Sequence, residues 1–416
     1  MPPLTVKPMS SYDVVVVGAR CAGSPLAMLL ARAGHSVLLL DRAWFPSDTM
    51  SAHWVLKPGI ELLAQWDLLP ELVATGCPPI SRISVETAAT TVSAVPTDTD
   101  GVALTFAPRR TVLDGLLVDS ARAAGAEVRE GFSVRDVVVE DGAVRGVRGQ
   151  YGEGREVTER ARVVVGADGR GSTIARAVRS SLVEDRGALA ATSYGYWSGV
   201  PVDGVRSFVQ GRMVVSMWPT NDDLTVISLT FPRSDFTAHR DAAERNYLRW
   251  LHRVPELADR IGTGRREGRL HTAAGLRNLF RRACGPGWAL AGDAGHHKDP
   301  VTAQGISDAL TDADALASAL HSGLTGTTSI DGALAGYEAR RDATRRAAFE
   351  FTCRAAAARP FDAERLLHAV AGDRALTGDF VSALAGSRRV AGMLDPGHLA
   401  AVTDHSGLTG TRSGHR

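Results

Sequence analysis

An apolar run at residues 12–17 ends in Gly18-Ala19-Arg20-Cys21-Ala22-Gly23, and this junction restricts the fold more than any other stretch of the chain. A strand must turn sharply there. An alanine- and leucine-rich segment at 22–33 then has helical spacing, and a second apolar strand at 36–40 ends on Asp41. Together they read as a βαβ unit. Gly18 permits the turn, and Gly23 lets helix and strand pack closely. Ala22 stands in the first turn of a helix whose free N–H groups and positive dipole end suit a pyrophosphate. Asp41, with Arg42 after it, follows the glycines by about 20 residues, the spacing at which an acid meets ribose hydroxyls. Arg20 stands where the middle glycine of such turns is usual, so its side chain either turns away from the pyrophosphate or clamps it.

Two later segments have the same style. Gly166-Ala167-Asp168-Gly169-Arg170-Gly171-Ser172 joins a strand to a helix, and Asp168 can anchor that turn or reach a ribose. Gly292-Asp293-Ala294-Gly295 follows a strand at 288–291 and precedes Pro300, Gly305 and a helix expected at about 303–320. An acid at such a strand end can accept from a polyol hydroxyl, and the helix aims its dipole at negative charge above it. Each segment taken singly is equally a strand-to-helix connection with no ligand.

In this order and at this spacing the three segments resemble the FAD-dependent monooxygenases of the aromatic hydroxylase type (group A), together with their geranylgeranyl-reductase-like relatives. The likeness covers most of residues 12–350. It implies an α/β fold: an FAD-binding, Rossmann-type, glutathione-reductase-like unit with a second α+β substrate domain on a mostly antiparallel sheet. The expected division is 1–182 and 276–358 for the FAD-binding parts, 183–275 for the substrate domain, and 359–416 for closing helices. The resemblance assigns FAD to Gly18, Ala22, Gly23, Asp41, Arg42, Arg110, Asp168, Gly292, Asp293, Pro300 and Gly305. Arg110 enters through the run Arg110-Thr111-Val112-Leu113-Asp114, which opens a helix. NADPH or NADH, or a separate flavin reductase, is the implied source of electrons, and dioxygen the co-substrate. The implied activity is hydroxylation or epoxidation of a small natural-product-like molecule through a flavin hydroperoxide. Gly305-Ile306-Ser307 ends the last motif where classical members show asparagine, which moves the chain toward the reductase-like relatives.

That activity requires walls that hold a substrate and exclude water. Trp197, Tyr196, Trp218 and Met217, on expected strands of the second sheet, are candidates, and each is equally a core residue. His53 is the candidate for proton relay, and the loop His296, His297, Lys298, Asp299 supplies further polar groups, with His297 placed against the substrate. The histidine spacing fixes no metal geometry. Three other activities compete. Reduction of isolated double bonds would fit the reductase likeness. Halogenation is disfavoured because the nearest segment to its Trp-x-Trp-x-Ile-Pro signature is Tyr196-Trp197-Ser198-Gly199-Val200-Pro201. A non-redox binding protein would not need all of Gly18, Gly23, Asp41, Asp168 and Asp293.

Composition excludes some classes. With 416 residues the chain has room for two domains sharing an interface, and 44% apolar with 22% charged residues is ordinary for globular proteins. A net charge of +1 gives no reason to expect nucleic acid or an acidic membrane. Cys21, Cys77, Cys284 and Cys353 stand far apart, which suits a reducing cytoplasm. Residues 1–11 lack the charged and apolar regions of a secretory signal, and no apolar run reaches the ~20 residues of a spanning helix. A polar stretch at 96–101 reads as a turn between short strands, and Asp141-Gly142 as a hairpin within a three-stranded meander. Oligomeric state leaves no signal.

Overall fold

The computed structural model describes residues 11–96, 104–357, 360–387, 392 and 401, so the turn expected at 96–101 and the terminal segment 1–11 fall almost wholly outside the described residues. The opening unit forms as its sequence dictates: β1 (Tyr12–Val17), α1 (Gly23–Arg32) and β2 (Val37–Leu40). Strand β1 pairs in parallel with β2, Val14 opposite Val37 through Val17 opposite Leu40. Its other edge pairs in parallel with Val157–Gly166, Val17 opposite Gly166. Trp288–Leu290 continues the sheet beyond Val157–Gly166, and Glu127–Arg129 continues it beyond β2. The apolar residues of β1 and β2 are buried on both faces, as a covered parallel sheet requires.

Strand order reverses at β1, because the chain first moves to β2 on one side and later returns on the other. Open α/β sheets bind ligands in the crevice outside the carboxyl ends of strands at such a switch point. Both the Gly18 turn and the Asp168 turn open there. One face of the sheet carries α1 and the helices Arg110–Ala123 and Gly305–Leu324 around a shared apolar core. The other face carries the hairpin Phe132–Glu140, Ala143–Tyr151, which turns on Asp141 and Gly142 with φ of 49° and 77° and continues as a meander into the sheet strand Val157–Gly166.

The second sheet has the order Arg265–Ala273, Ala190–Ser198, Thr225–Pro232, Met213–Pro219, Val205–Gln210, Ile83–Glu86, Thr91–Ala94. Its neighbours are antiparallel except where Val205–Gln210 meets Ile83–Glu86. Two of its strands therefore come from well before residue 183, and a distant part of the chain completes the sheet. Helices Ala243–Leu251 and Pro255–Thr263 pack an apolar core against one face. On the other face, residues of helices Pro360–Ala371 and Arg374–Leu384 join a core with Tyr194, Trp218 and Val226. A small sheet of Leu182–Ala188, Arg277–Arg281 and His296–His297 lies where the chain passes between the two units. No helix among the described residues is long and apolar enough to cross a membrane.

Candidate active site

A cavity of about 1230 Å³ opens between the switch point and the second sheet. Drug-sized ligands occupy sites of roughly 300–1,000 Å³. This volume admits an extended dinucleotide with a second molecule beside it. Of the residues expected to hold a cofactor, Gly18, Ala22, Asp41, Arg42, Arg110, Asp168, Asp293, Pro300 and Gly305 line it. Gly23 and Gly292 stand behind this wall, where space is the constraint. A Cβ on Gly23 would lie 1.7 Å from the Gly18 carbonyl oxygen, and one on Gly292 would lie 3.1 Å from the Ala22 Cβ. Gly18 itself has φ of 103°, and a Cβ there would meet the Ala167 carbonyl oxygen at 2.4 Å.

The acids of the motifs are largely occupied by backbone. Asp41 Oδ2 accepts from the Ala19 N–H at 2.7 Å and Oδ1 from the Ala43 N–H at 2.8 Å, which ties the Gly18 turn to the end of β2. Asp168 accepts from the Ser172 hydroxyl at 2.6 Å and the Thr173 N–H at 2.6 Å. Burial raises its carboxyl above the usual value against the pull of those bonds. Of its two sequence readings, anchor or ribose ligand, the anchor is visible in these bonds. Asp293 is partly open, its side chain 39% exposed, with His297 Nε2 3.9 Å away. The His297 Nδ1 faces the Arg277 carbonyl and so carries the proton, leaving Nε2 toward Asp293.

The helix of the third motif starts at Gly305, later than the 303 expected, because Ala303 takes a left-handed φ of 52°. Its first turn borders the cavity through Gly305 and Ile306. Ser307, which replaces the usual asparagine, turns inward and accepts from the Leu56 N–H at 2.8 Å. Beneath it lies a charged cluster that no motif announced. Lys298 Nζ meets Asp308 at 2.7 Å, and Arg345 reaches Asp312 at 3.1 Å and Asp308 at 3.4 Å. Burial alone would raise Asp308, but Lys298 and Arg345 hold it well below the usual carboxylate range. Asp312 also accepts from the Gly292 N–H at 3.1 Å, which fixes the strand end that carries Asp293.

The wall contributed by the second sheet differs from expectation. Strand alternation turns even-numbered residues of Ala190–Ser198, Met213–Pro219 and Thr225–Pro232 toward the cavity, and odd-numbered ones away. Thr192, Tyr194, Ser216, Trp218, Ser228 and Thr230 line the cavity, joined by Val205 and Ser207. Trp218 thus lines the cavity. Trp197 and Met217 do not: both are buried in the core under the helices of the opposite face, where Trp197 Nε1 donates to Tyr247 Oη at 3.1 Å. The wall is therefore rich in hydroxyls, and the signal for it was the regular spacing of Ser and Thr between apolar positions, as in Val215-Ser216-Met217 and Ile227-Ser228-Leu229.

His53 and Tyr196 also miss the cavity. His53 is fully buried at a left-handed φ of 60°, with Nε2 2.8 Å from the Tyr196 hydroxyl. Burial, with Arg110 and Arg109 nearby, pushes it down to about 3. It is neutral at ordinary pH and sits behind Tyr194, against which its ring packs edge-on at 5.9 Å. In place of the expected proton relay, the structure gives His53 a contact role. It positions Tyr196 and supports the Tyr194 ring.

The amino ends of α1 and of Gly305–Leu324, the glycines Gly18, Gly169 and Gly305, guanidiniums that include Arg20, Arg42 and Arg110, and the part-exposed acid Asp293 border one cavity, and they suit a ligand with a diphosphate, a polyol and a flat ring. This donor set is what FAD requires. The family described as FAD binding domain matches residues 11–352. The 6-methylpretetramide 4-monooxygenase of Streptomyces rimosus is 30% identical over 330 residues, which are 75% of this chain and 76% of that protein. A digeranylgeranylglycerophospholipid reductase of Methanocella arvoryzae is 26% identical over 321 residues, 73% of this chain and 75% of that one. Among solved structures, a myxobacterial chondrochloren halogenase superposes with a TM-score of 0.76 at 23% identity, covering 95% of this chain and 97% of that one. At that identity the likeness shows the fold.

Proposed function

The chain belongs to the FAD binding domain family and is an FAD-dependent oxidoreductase; on that premise we propose that it is an NAD(P)H-dependent monooxygenase of an oxygen-bearing small organic molecule. The observation that carries this reading is the hydroxyl-lined wall of Thr192, Ser207, Ser216, Ser228 and Thr230. The Ser207 and Ser216 hydroxyls bond each other at 2.8 Å and Ser228 reaches the Ser216 carbonyl at 3.4 Å, so a hydrocarbon chain would leave chiefly the Thr192 and Thr230 hydroxyls unpaired, at a cost of about 1–3 kcal/mol each. An oxygenated ring pairs them. The relative from Streptomyces rimosus, named for a 4-monooxygenase reaction on 6-methylpretetramide, supports the same choice.

When bound, FAD supplies electron transfer and the activation of dioxygen. The side chains of this chain have simpler tasks. Gly18, Ala22 and Gly305 line the space where a diphosphate and a flat ring would lie, and Asp293 offers an acceptor to a polyol. Tyr194 and Trp218 form the aromatic part of the substrate wall, and Tyr194 is backed by His271, whose ring stacks on it at 4.8 Å. Burial raises the Tyr194 hydroxyl above its usual value, so it keeps its proton and offers a donor rather than a charge. Residues of the C-terminal helices packed behind Trp218 and Tyr194 keep water from that side.

Reduction of an isolated double bond is the second reading, favoured by the reductase relative, and halogenation the third, favoured by the halogenase fold likeness. One set of assays separates them. The full chain loaded with FAD is given NADPH or NADH and a panel of polyhydroxylated aromatics and isoprenoid lipids, with and without bromide. Oxygen consumed in step with a hydroxylated product supports the proposal. Product formed without oxygen, from the lipid, replaces it with the reductase reading, and a bromide-dependent product replaces it with the halogenase reading.

A further inference from the structure

We propose that Arg20 is a diphosphate-binding guanidinium, which replaces by charge the close backbone approach of a middle glycine and makes the chain select FAD over flavins that lack a diphosphate. The inference rests on the FAD reading above and assigns a role to the one residue by which the opening turn departs from its pattern. Arg20 lines the cavity beside Gly18, Cys21 and Ala22, at the amino end of α1. Its side chain is neither loose nor turned away into solvent: it is 26% exposed and forms an ion pair with Asp114, whose side chain is fully buried.

The pair is part of a larger arrangement. Arg110 binds the same carboxylate through Nε at 3.0 Å and Nη2 at 2.8 Å. The Cys21 thiol also faces Asp114, at 3.4 Å, and burial pushes that thiol up to about 12, so it adds no negative charge. Two guanidiniums therefore share one carboxylate at the cavity wall. The pair thus leaves one formal positive charge over Asp114 at the cavity wall, part-shielded from solvent with Arg20 26% exposed and Arg110 10%, where it attracts an anion more strongly than in bulk water. Asp293 also acts on Arg110, but it is 39% exposed and screened.

The fork of Arg20 is already oriented. Its Nη1 donates to the Ser47 carbonyl at 3.3 Å and its Nη2 to the Ser47 hydroxyl at 2.8 Å. Its Nε has no partner among the described residues, so the edge formed by Nε and Nη2 keeps donors for a phosphate oxygen. Because Ser47 belongs to the segment after β2 that also lines the cavity, the same guanidinium ties that segment to the Gly18 turn before a ligand arrives.

The test uses the full chain stripped of flavin and titrated with FAD, riboflavin and ADP at low and high salt, with binding read by flavin fluorescence and calorimetry. Arg20→Gln is expected to weaken FAD and ADP by about tenfold or more and to flatten the salt dependence, with riboflavin unchanged. Arg20→Lys is expected to recover part of the loss, because it restores charge without the fork. The proposal is overturned if Arg20→Gln keeps the FAD affinity and salt dependence of the parent. It is also overturned if riboflavin is lost in proportion to FAD, since the arginine would then only hold the Ser47 segment. A parent chain that binds neither FAD nor riboflavin overturns the FAD reading itself, which is a different result from either.

Discussion

The Gly18 turn and the second sheet build opposite walls of one cavity, and they are constrained in opposite ways. At the turn, identity is set by what the backbone cannot admit, since a Cβ on Gly18 or Gly23 would run into main-chain oxygens. On the sheet almost any side chain fits the backbone, and identity is set by which face it reaches: hydroxyls toward the cavity, large apolar groups toward the helices. The first kind of wall is intolerant of any addition. The second separates stability from binding along a single strand, residue by residue.

Gly23→Val tests the first wall most severely. Its Cβ would stand 1.7 Å from a backbone oxygen that cannot move without opening the β1 turn. A loss of more than about 4 kcal/mol is expected, read as absence of a cooperative thermal transition and of bound flavin absorbance. Soluble, yellow protein with parental Tm would show the turn to be plastic. On the sheet, Trp197→Ala should cost about 3–5 kcal/mol in denaturant unfolding by leaving a cavity under the helices. In the fraction that stays folded, substrate KM should hardly change, and a large KM change would put Trp197 back on the cavity wall.

His53 extends the comparison to pH. Burial holds it near 3 in the folded chain against 6.5 for the free group, so the unfolded chain binds the extra proton between those values. Its contribution is fully present above pH 6.5 and is lost as pH falls toward 3, with a slope of up to about 1.4 kcal/mol per pH unit. His53→Asn, which tolerates the left-handed backbone, should flatten the acid limb of a Tm-against-pH curve. An unchanged limb would mean that His53 does not titrate with unfolding. The smallest effect belongs to the cavity face. Ser216→Ala with Thr230→Val should lower Tm by no more than the loss of the 2.8 Å Ser207–Ser216 bond allows and raise substrate KM a few-fold, worth about 0.5–1.5 kcal/mol per lost hydrogen bond. A Tm drop without a KM change would reassign both residues to packing.

The two walls were not equally legible. Glycines and acids at strand ends announce themselves, because a strand, a sharp turn and a helix leave few residues able to serve, and most of the expected cofactor residues do gather on one cavity. The sheet wall was misjudged at Trp197 and Met217 because alternation gives two faces without saying which is which. Aromatic size suggested the cavity, and the helices Ala243–Leu251 and Pro255–Thr263 claimed that face instead. His53 was misjudged for a related reason: a polar residue near a motif need not face the ligand, and this one serves a buried tyrosine.

By itself the sequence determined the parallel βαβ frame, the FAD family and the three turns, because these depend on local backbone geometry and on the period of the apolar pattern. Only the tertiary structure decided that Asp114 would pair with Arg20 across 94 residues of chain while also holding Arg110, that Ile83–Glu86 would complete a sheet begun more than a hundred residues later, and that hydroxyls would face the cavity. These outcomes depend on which elements come to lie against one another. That is fixed by the burial of whole faces and the pairing of charges distant in sequence, and no local pattern encodes it.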